Sequence, residues 1–412
     1  MRRGLAAVLL ALLLPAAAPA AKAPAAYSID FTTFALASGE RTGTSLSPSG
    51  GLSLAATGLT SVTYTDPHGY GTRTYDAGSW TGPWRETPFG HTQAVASWIA
   101  STPEGTWIQA ELRARAADGH LTKWYVLGRW AYGDERFHRT SLSGQGDRDG
   151  FVAIDTWVPS EPMPAYQLRL KLYRENGTTA TPTVTRLSAV ASNPSKRSYV
   201  PSTTTMTRTE ILDVPPYSQE IHVGHYPEFD NGGEAWCSPT STSMILGYWD
   251  RLPTAADYRY VTAADPGHPD PWVDYAARYT YDYNYQGAGN WPFNVAYAGR
   301  FGLSGAVTQL HSLAEAEQFI KAGIPLVASL AFGSGKLDSF FFKSTNGHLL
   351  TIIGFTADGN VVSNDPASPT DADVRHVYDR AQFEKAWLDS TGGIVYLMYP
   401  PGTTLPPSPG NW

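Results

Sequence analysis

Cys237 is the only cysteine in 412 residues, so the chain cannot close an internal disulfide. Charge is also scarce. Only 16% of residues are Asp, Glu, Lys or Arg, and their balance of -7 excludes the basic footprint of a nucleic-acid binder. Disorder is excluded too, because 42% of the residues are hydrophobic, as in globular proteins. Beyond the first residues no apolar run is long enough to span a bilayer, and no internal repeat is present.

The chain opens on a processing signal. Arg2 and Arg3 form a basic start, Leu5 to Leu14 an apolar run broken by Pro15, and Ala18-Pro19-Ala20 a small-residue cleavage site. Residues 1–21 therefore read as a signal peptide, too short in its apolar part to anchor. The Arg pair stands without the rest of a twin-arginine motif, which favours the general export route. The expected mature protein is secreted, extracellular or associated with the cell wall. Secreted proteins use cysteines in pairs. A lone Cys237 is then a reactive thiol, an intermolecular bridge, or a buried small hydrophobe.

Residues 29–191 show a period of two. Ile108, Ala110, Leu112 and Ala114 alternate with polar residues before Asp118-Gly119, and Tyr166, Leu168, Leu170 and Leu172 do so before Asn176-Gly177. Half-buried strands between turn dipeptides predict an all-β sandwich. Residues 192–208, rich in Ser, Thr and Pro, have linker composition. Residues 209–399 mix helix and strand signals, and 400–412 read as a flexible Pro- and Gly-rich tail.

Around Cys237 the pattern turns helical. Ser241, Met244, Ile245, Tyr248, Trp249 and Leu252 fall on one helical face. Ser238 is the expected cap and Pro239 the first helical residue, which puts Cys237 at a helix start. Unpaired amides and the helix dipole stabilise a thiolate there, as a cysteine nucleophile requires. A base is needed nearby. His348 precedes the apolar run Leu349–Phe355, which reads as a buried strand, and Asp358-Gly359 reads as a hairpin turn into Asn360–Asp365. If Ala357 pairs with Asn360, Ile352 pairs with Asp365. That puts Asp365 on the His348 face and Asn364 on the other, so Asp365 is favoured as the orienting acid. The same register leaves an offset of about 13 Å along the strand, to be closed by twist, a bulge or a shifted turn. Gln219, in Val214-Pro215-Pro216-Tyr217-Ser218-Gln219, offers a side-chain amide for an oxyanion.

Other features have competing readings. His222 and His225, near Glu228, Asp230 and Cys237, have ligand chemistry for zinc. Gly224, Pro227 and Gly232-Gly233 deprive them of a rigid helix, so the stretch reads as a loop beside a cleft, and neither a metal nor another cofactor is expected. The Tyr-rich stretch from Asp274 to Asn294 either lines a substrate groove or packs internally. Seven of the thirteen tryptophans fall between Trp80 and Trp157. They belong to the core or, if exposed, would stack on a carbohydrate ligand.

The set Val214–Gln219, Trp236-Cys237-Ser238-Pro239-Thr240-Ser241, Gly347-His348 and Asn364-Asp365-Pro366 resembles the papain-like cysteine peptidases typified by bacteriocin leader peptidases, in a secreted, stand-alone form. The resemblance covers residues 209–399. It implies a papain-like α+β domain with Cys237 as nucleophile, His348 as general base and acid, Asp365 as orienting acid and Gln219 as oxyanion donor. Ser238 replaces the usual Gly, and an insert, Ile221 to Gly233, lengthens the gap between Gln219 and Cys237. The expected protein is thus multidomain, a jelly-roll-like β-sandwich followed by a cysteine peptidase acting on a peptide or protein substrate, with no nucleic acid and no membrane span. Two alternatives stand. One is a non-catalytic cell-surface or carbohydrate-binding protein on a degenerate peptidase scaffold. The other is a cysteine acyltransferase or cell-wall amidase.

Overall fold

The computed structural model describes residues 28–194, 200–338 and 340–412. The expected signal peptide lies outside the described residues, as does 195–199 of the expected linker. Two seven-stranded antiparallel sheets form the N-terminal half. The two alternating segments read from the sequence are neighbours: Ile108, Ala110, Leu112 and Ala114 stand opposite Leu172, Leu170, Leu168 and Tyr166. Their apolar side chains share the inner face and are all buried. On the outer face Glu111 pairs with Arg169 and with Lys171. Five of the seven clustered tryptophans, Trp80, Trp98, Trp107, Trp130 and Trp157, are fully buried. Trp84 and Trp124 are half-buried, with Arg113 lying 5.3 and 4.6 Å from their ring centres.

The C-terminal half is α+β. A third antiparallel sheet runs Ser304–Gln309, Ile394–Tyr399, Leu326–Phe332, Thr345–Phe355, Val361–Asn364 and Arg375–Tyr378, with Glu210–Ile211 also pairing on Thr345–Phe355. Among the described residues six α-helices accompany it: α1 (Cys237–Tyr248), α2 (Arg259–Ala264), α3 (Pro271–Thr280), α4 (Trp291–Arg300), α5 (Leu313–Lys321) and α6 (Arg380–Thr391). Among the described residues no helix is long and apolar enough to cross a membrane.

Helix α1 departs from the sequence reading. It begins at Cys237 itself, with Trp236 as its cap residue, so Ser238 and Pro239 lie inside the first turn. Every residue from Ser238 to Leu246 is buried, so α1 is a central helix and not an amphipathic one. Its small polar side chains permit close packing. Ser238 bonds the Tyr396 hydroxyl at 2.9 Å, Ser243 donates to Pro239 O at 2.9 Å, and Ser241 donates to Leu349 O at 3.3 Å.

The halves share one continuous core. Phe293 of α4 lies between Trp98 and Trp130, at 6.2 and 5.3 Å between ring centres. Gly299 allows α4 to approach the sandwich, because a Cβ there would stand 2.8 Å from the Ile99 side chain. Arg139, fully buried, donates to Ala131 O and Tyr132 O in the sandwich and to Arg278 O in α3. Described residues of the segments read as linker and tail make contacts with the C-terminal half. Thr204 and Thr205 bond Glu317 at 2.6–2.7 Å. Asn411 is buried, donates to Gln309 O at 2.8 Å and accepts from Thr308, while Trp412 packs on Phe319. At the end of the segment read as a flexible tail, Asn411 and Trp412 thus fill places that proline and glycine content does not reveal.

Candidate active site

The site forms where α1 meets the strand Thr345–Phe355. Cys237 is the first residue of α1 and partly exposed. Trp236 O receives Thr240 N–H, which leaves the Cys237 amide without a helical partner at the start of the dipole. Trp236 is wholly buried and its indole donates to Phe229 O at 2.6 Å, which fixes the residue before the thiol.

His348 stands opposite Leu330 in the neighbouring strand. Its Nε2 lies 2.8 Å from Asp365 Oδ1, and the Cys237 side chain is near enough to act on the imidazole. Burial alone would lower the imidazole. The charge of Asp365 and the bonds with Asp365 and Cys237 override burial and push it up to about 10. Asp365 is completely buried, which by itself raises a carboxyl. The His348 charge, with bonds from His348, Tyr378 and Ala367 N–H, holds it below the usual carboxylate range.

The hairpin register differs from the one expected. Phe355 pairs with Val361 and Gly354 with Val362; a bulge follows, so that Ile352 pairs with Ser363 and Thr351 with Asn364. The turn is also wider, with Thr356 N–H on Asn360 O and Gly359 at φ 84°. Both changes slide Asp365 toward His348 and close about half of the axial gap. The net slip is two residues, so the face of each side chain is preserved. Asn364 points away and donates to Val214 O at 3.1 Å.

Gln219 is brought to the same cleft and is nearly fully buried. Its backbone N–H donates to Pro366 O at 2.8 Å, which ties the Gln219 segment to the Asp365 loop. The side-chain amide donates to Glu234 O at 2.8 Å and to Glu220 Oε1 at 3.1 Å. Both amide hydrogens are thus engaged.

Several site residues carried no sequence signal. Tyr378 donates to Asp365 Oδ2 at 2.8 Å; burial and the Asp365 charge keep its phenol protonated. Phe340 packs edge-on against His348 at 5.1 Å and screens it from water. The cleft holds about 610 Å³. Part of its wall is the sandwich hairpin tip Ala153, Ile154, Asp155 and Thr156. From the Tyr-rich stretch Tyr285 and Gly289 line it, beside Trp291, while Tyr275 and Tyr279 pack inward. His222 and His225 lie outside the cleft lining, beside His268 and Asp274.

Residues 29–192 match the family model described as Peptidase C39 N-terminal domain, and residues 211–394 match that of the Peptidase C39 like family. No curated protein matches the chain. Solved structures similar to it include carbohydrate-binding modules of the β-sandwich superfamily, at 12% identity over 38% of this chain and 54% of that one, TM-score 0.17. Infectious bursal disease virus, Gt strain, gives 12% identity over 46% of this chain and 39% of that one, TM-score 0.17. Modules of xylanase 10B from Clostridium thermocellum give 10% over 46% and 32%, TM-score 0.16. The chain spans about half the length of the first of these.

Proposed function

The chain belongs to a C39-like cysteine peptidase family, and from that premise we propose that it is a secreted papain-like hydrolase of peptide or amide bonds. The observation that carries the reading is the line Asp365–His348–Cys237, with its thiol end at a helix start and open to a cleft. In this reading Asp365 and Tyr378 hold the imidazole, and His348 takes the thiol proton. The Cys237 thiolate attacks the substrate carbonyl. The Cys237 amide and Gln219 receive the oxyanion, the latter by exchanging Glu220 for substrate. The imidazolium returns its proton to the leaving amine, and water resolves the thioester. Export is proposed from the Arg2-Arg3 start and the Leu5–Leu14 run.

The test is labelling of the folded protein with iodoacetamide or an epoxide inhibitor at neutral pH, read by peptide mass spectrometry. Rapid labelling of Cys237, lost in His348→Ala together with turnover of a peptide library, is expected. A Cys237 that stays unlabelled, with His348→Ala making no difference, would overturn the proposal in favour of a non-catalytic scaffold.

A further inference from the structure

Beside the cleft lies a second cluster of titratable groups. His222 ends the 3-10 turn Glu220–His222, His268 precedes α3, and Asp274 is in the first turn of α3. All three are buried. His222 Nδ1 lies 2.9 Å from Asp274 Oδ2 and 2.9 Å from His268 Nε2, and His268 Nε2 lies 3.1 Å from the same Oδ2. Three donor atoms thus form a nearly equilateral triangle.

With Asp274 ionised, no placement of protons satisfies that triangle. Each ring nitrogen carries at most one hydrogen. If both point at the carboxylate, the two N–H groups face each other at 2.9 Å. If one nitrogen is bare, its lone pair faces the carboxylate oxygen. A cation attracts all three atoms at once. The centre of the triangle is about 1.7 Å from each corner, so an ion at the roughly 2.0–2.2 Å bond length of zinc to nitrogen and oxygen stands about 1 Å off the plane. The corner spacing is slightly less than the edge of about 3.3 Å in a zinc tetrahedron. Two further groups occupy the places of outer-shell partners. His225 Nδ1 is 3.2 Å from Asp274 Oδ1, and the Asp265 carboxylate is 3.6 Å from His268 Nδ1.

We propose that His222, His268 and Asp274 bind a structural divalent metal ion, zinc by the donor chemistry, with water as fourth ligand and with His225 and Asp265 orienting the ligands. The site staples the segment between Gln219 and Cys237 to α3. Gly233, within that segment, is packed so closely that a Cβ would stand 2.3 Å from Gln219 O and 2.6 Å from the His222 carbonyl carbon. An ion on His222 therefore fixes the stretch that carries the oxyanion side chain at one end and the thiol at the other.

The experiment uses the full chain carrying Cys237→Ala, so that neither the thiol nor peptidase activity enters the readout. The protein is stripped with a chelator and titrated with Zn²⁺ and, separately, Co²⁺. One equivalent of each, a tetrahedral cobalt absorption band and a higher Tm with zinc are expected. His268→Ala should abolish stoichiometric binding. His225→Ala, at a part-exposed position outside the triangle, should weaken it about 10–100-fold, the usual effect of an outer-shell loss. Absence of binding at a hundred-micromolar ion, or binding that neither variant alters, overturns the proposal.

Discussion

Replacing Asp365 by Asn removes one charge from the centre of the Asp365–His348–Cys237 line and little else. Asn keeps the size of the side chain and one hydrogen bond to His348. At the observed 2.8 Å contact, and an effective dielectric of about 20, the lost attraction is on the order of 4–6 kcal/mol. That charge is the largest of the contributions that outweigh burial and raise the imidazole. Without the carboxylate, burial dominates and the imidazole drops below its ordinary value. The thiolate then loses its imidazolium partner at neutral pH. The assay is the rate of Cys237 alkylation by iodoacetamide between pH 5 and 9. The native protein should react at a nearly constant rate from pH 6 to 8. Asp365→Asn should react at least tenfold more slowly at pH 7, with a rate that rises more steeply with pH. Stability should follow the same charges. The lowered Asp365 carboxyl contributes above its unfolded value of about 3.9, and that contribution is lost as pH falls through its native value. The raised imidazole contributes fully below about 6.5 and loses that contribution as pH rises through about 10. The stability difference between native and variant is therefore largest between about pH 4 and 6.5. Equal alkylation rates with parallel pH profiles would refute the reasoning.

Two further perturbations test how the halves are joined. Burial pushes the Asp155 carboxyl up to about 7, so the unfolded chain releases that proton first and native stability falls between about pH 4 and 7. Asp155→Asn removes this loss and should gain up to about 4 kcal/mol on the native protein across that window; urea denaturation at pH 4.5 and pH 8 giving one constant difference would contradict it. Arg139→Met leaves carbonyls of Ala131, Tyr132 and Arg278 buried without their donor, at about 1–3 kcal/mol each. A loss of at least about 3 kcal/mol is expected, with both halves unfolding in one urea transition followed by tryptophan fluorescence. A loss below about 1 kcal/mol would show that the buried guanidinium does not hold the halves.

Local patterns carried the sequence reading wherever one face meets one core. The alternations at Ile108–Ala114 and Tyr166–Leu172 proved to be partners because period two records which face is dry. The choice of Asp365 over Asn364 rested on parity, and parity survives a two-residue slip even though the pairing itself was misjudged. The bulge between Ile352 and Gly354 was not read, although Gly354, where a Cβ would stand 2.3 Å from Glu210 O, is the residue that marks it. The full burial of α1 was hidden for a related reason: Ser238, Ser241 and Ser243 are satisfied by partners distant in sequence or by the helix's own carbonyls. The meeting of His222 with His268 and Asp274 depends on the fold of two loops onto α3, and no spacing within His222-x-x-His225 announces it.

The sandwich is part of the cleft. Its hairpin tip places Ile154 at φ 62°, a left-handed conformation that a β-branched residue adopts only at a cost of about 1–3 kcal/mol. Such strain persists where surrounding contacts over-determine it, and here they do. Asp155 N–H bonds Ala153 O at 2.8 Å, and the Asp155 carboxyl accepts from Trp291 N–H at 2.8 Å, at the first turn of α4. That second bond ties the tip to the helix whose Phe293 is already held between Trp98 and Trp130. The strained tip is thereby held at the cleft wall, facing the same space as Cys237 and His348. An isolated C-terminal half would lose that wall, the acceptor at the start of α4 and the apolar cover of Phe293 together. The two halves therefore make one site, and the shape of what enters it is set in part by residues of the sandwich.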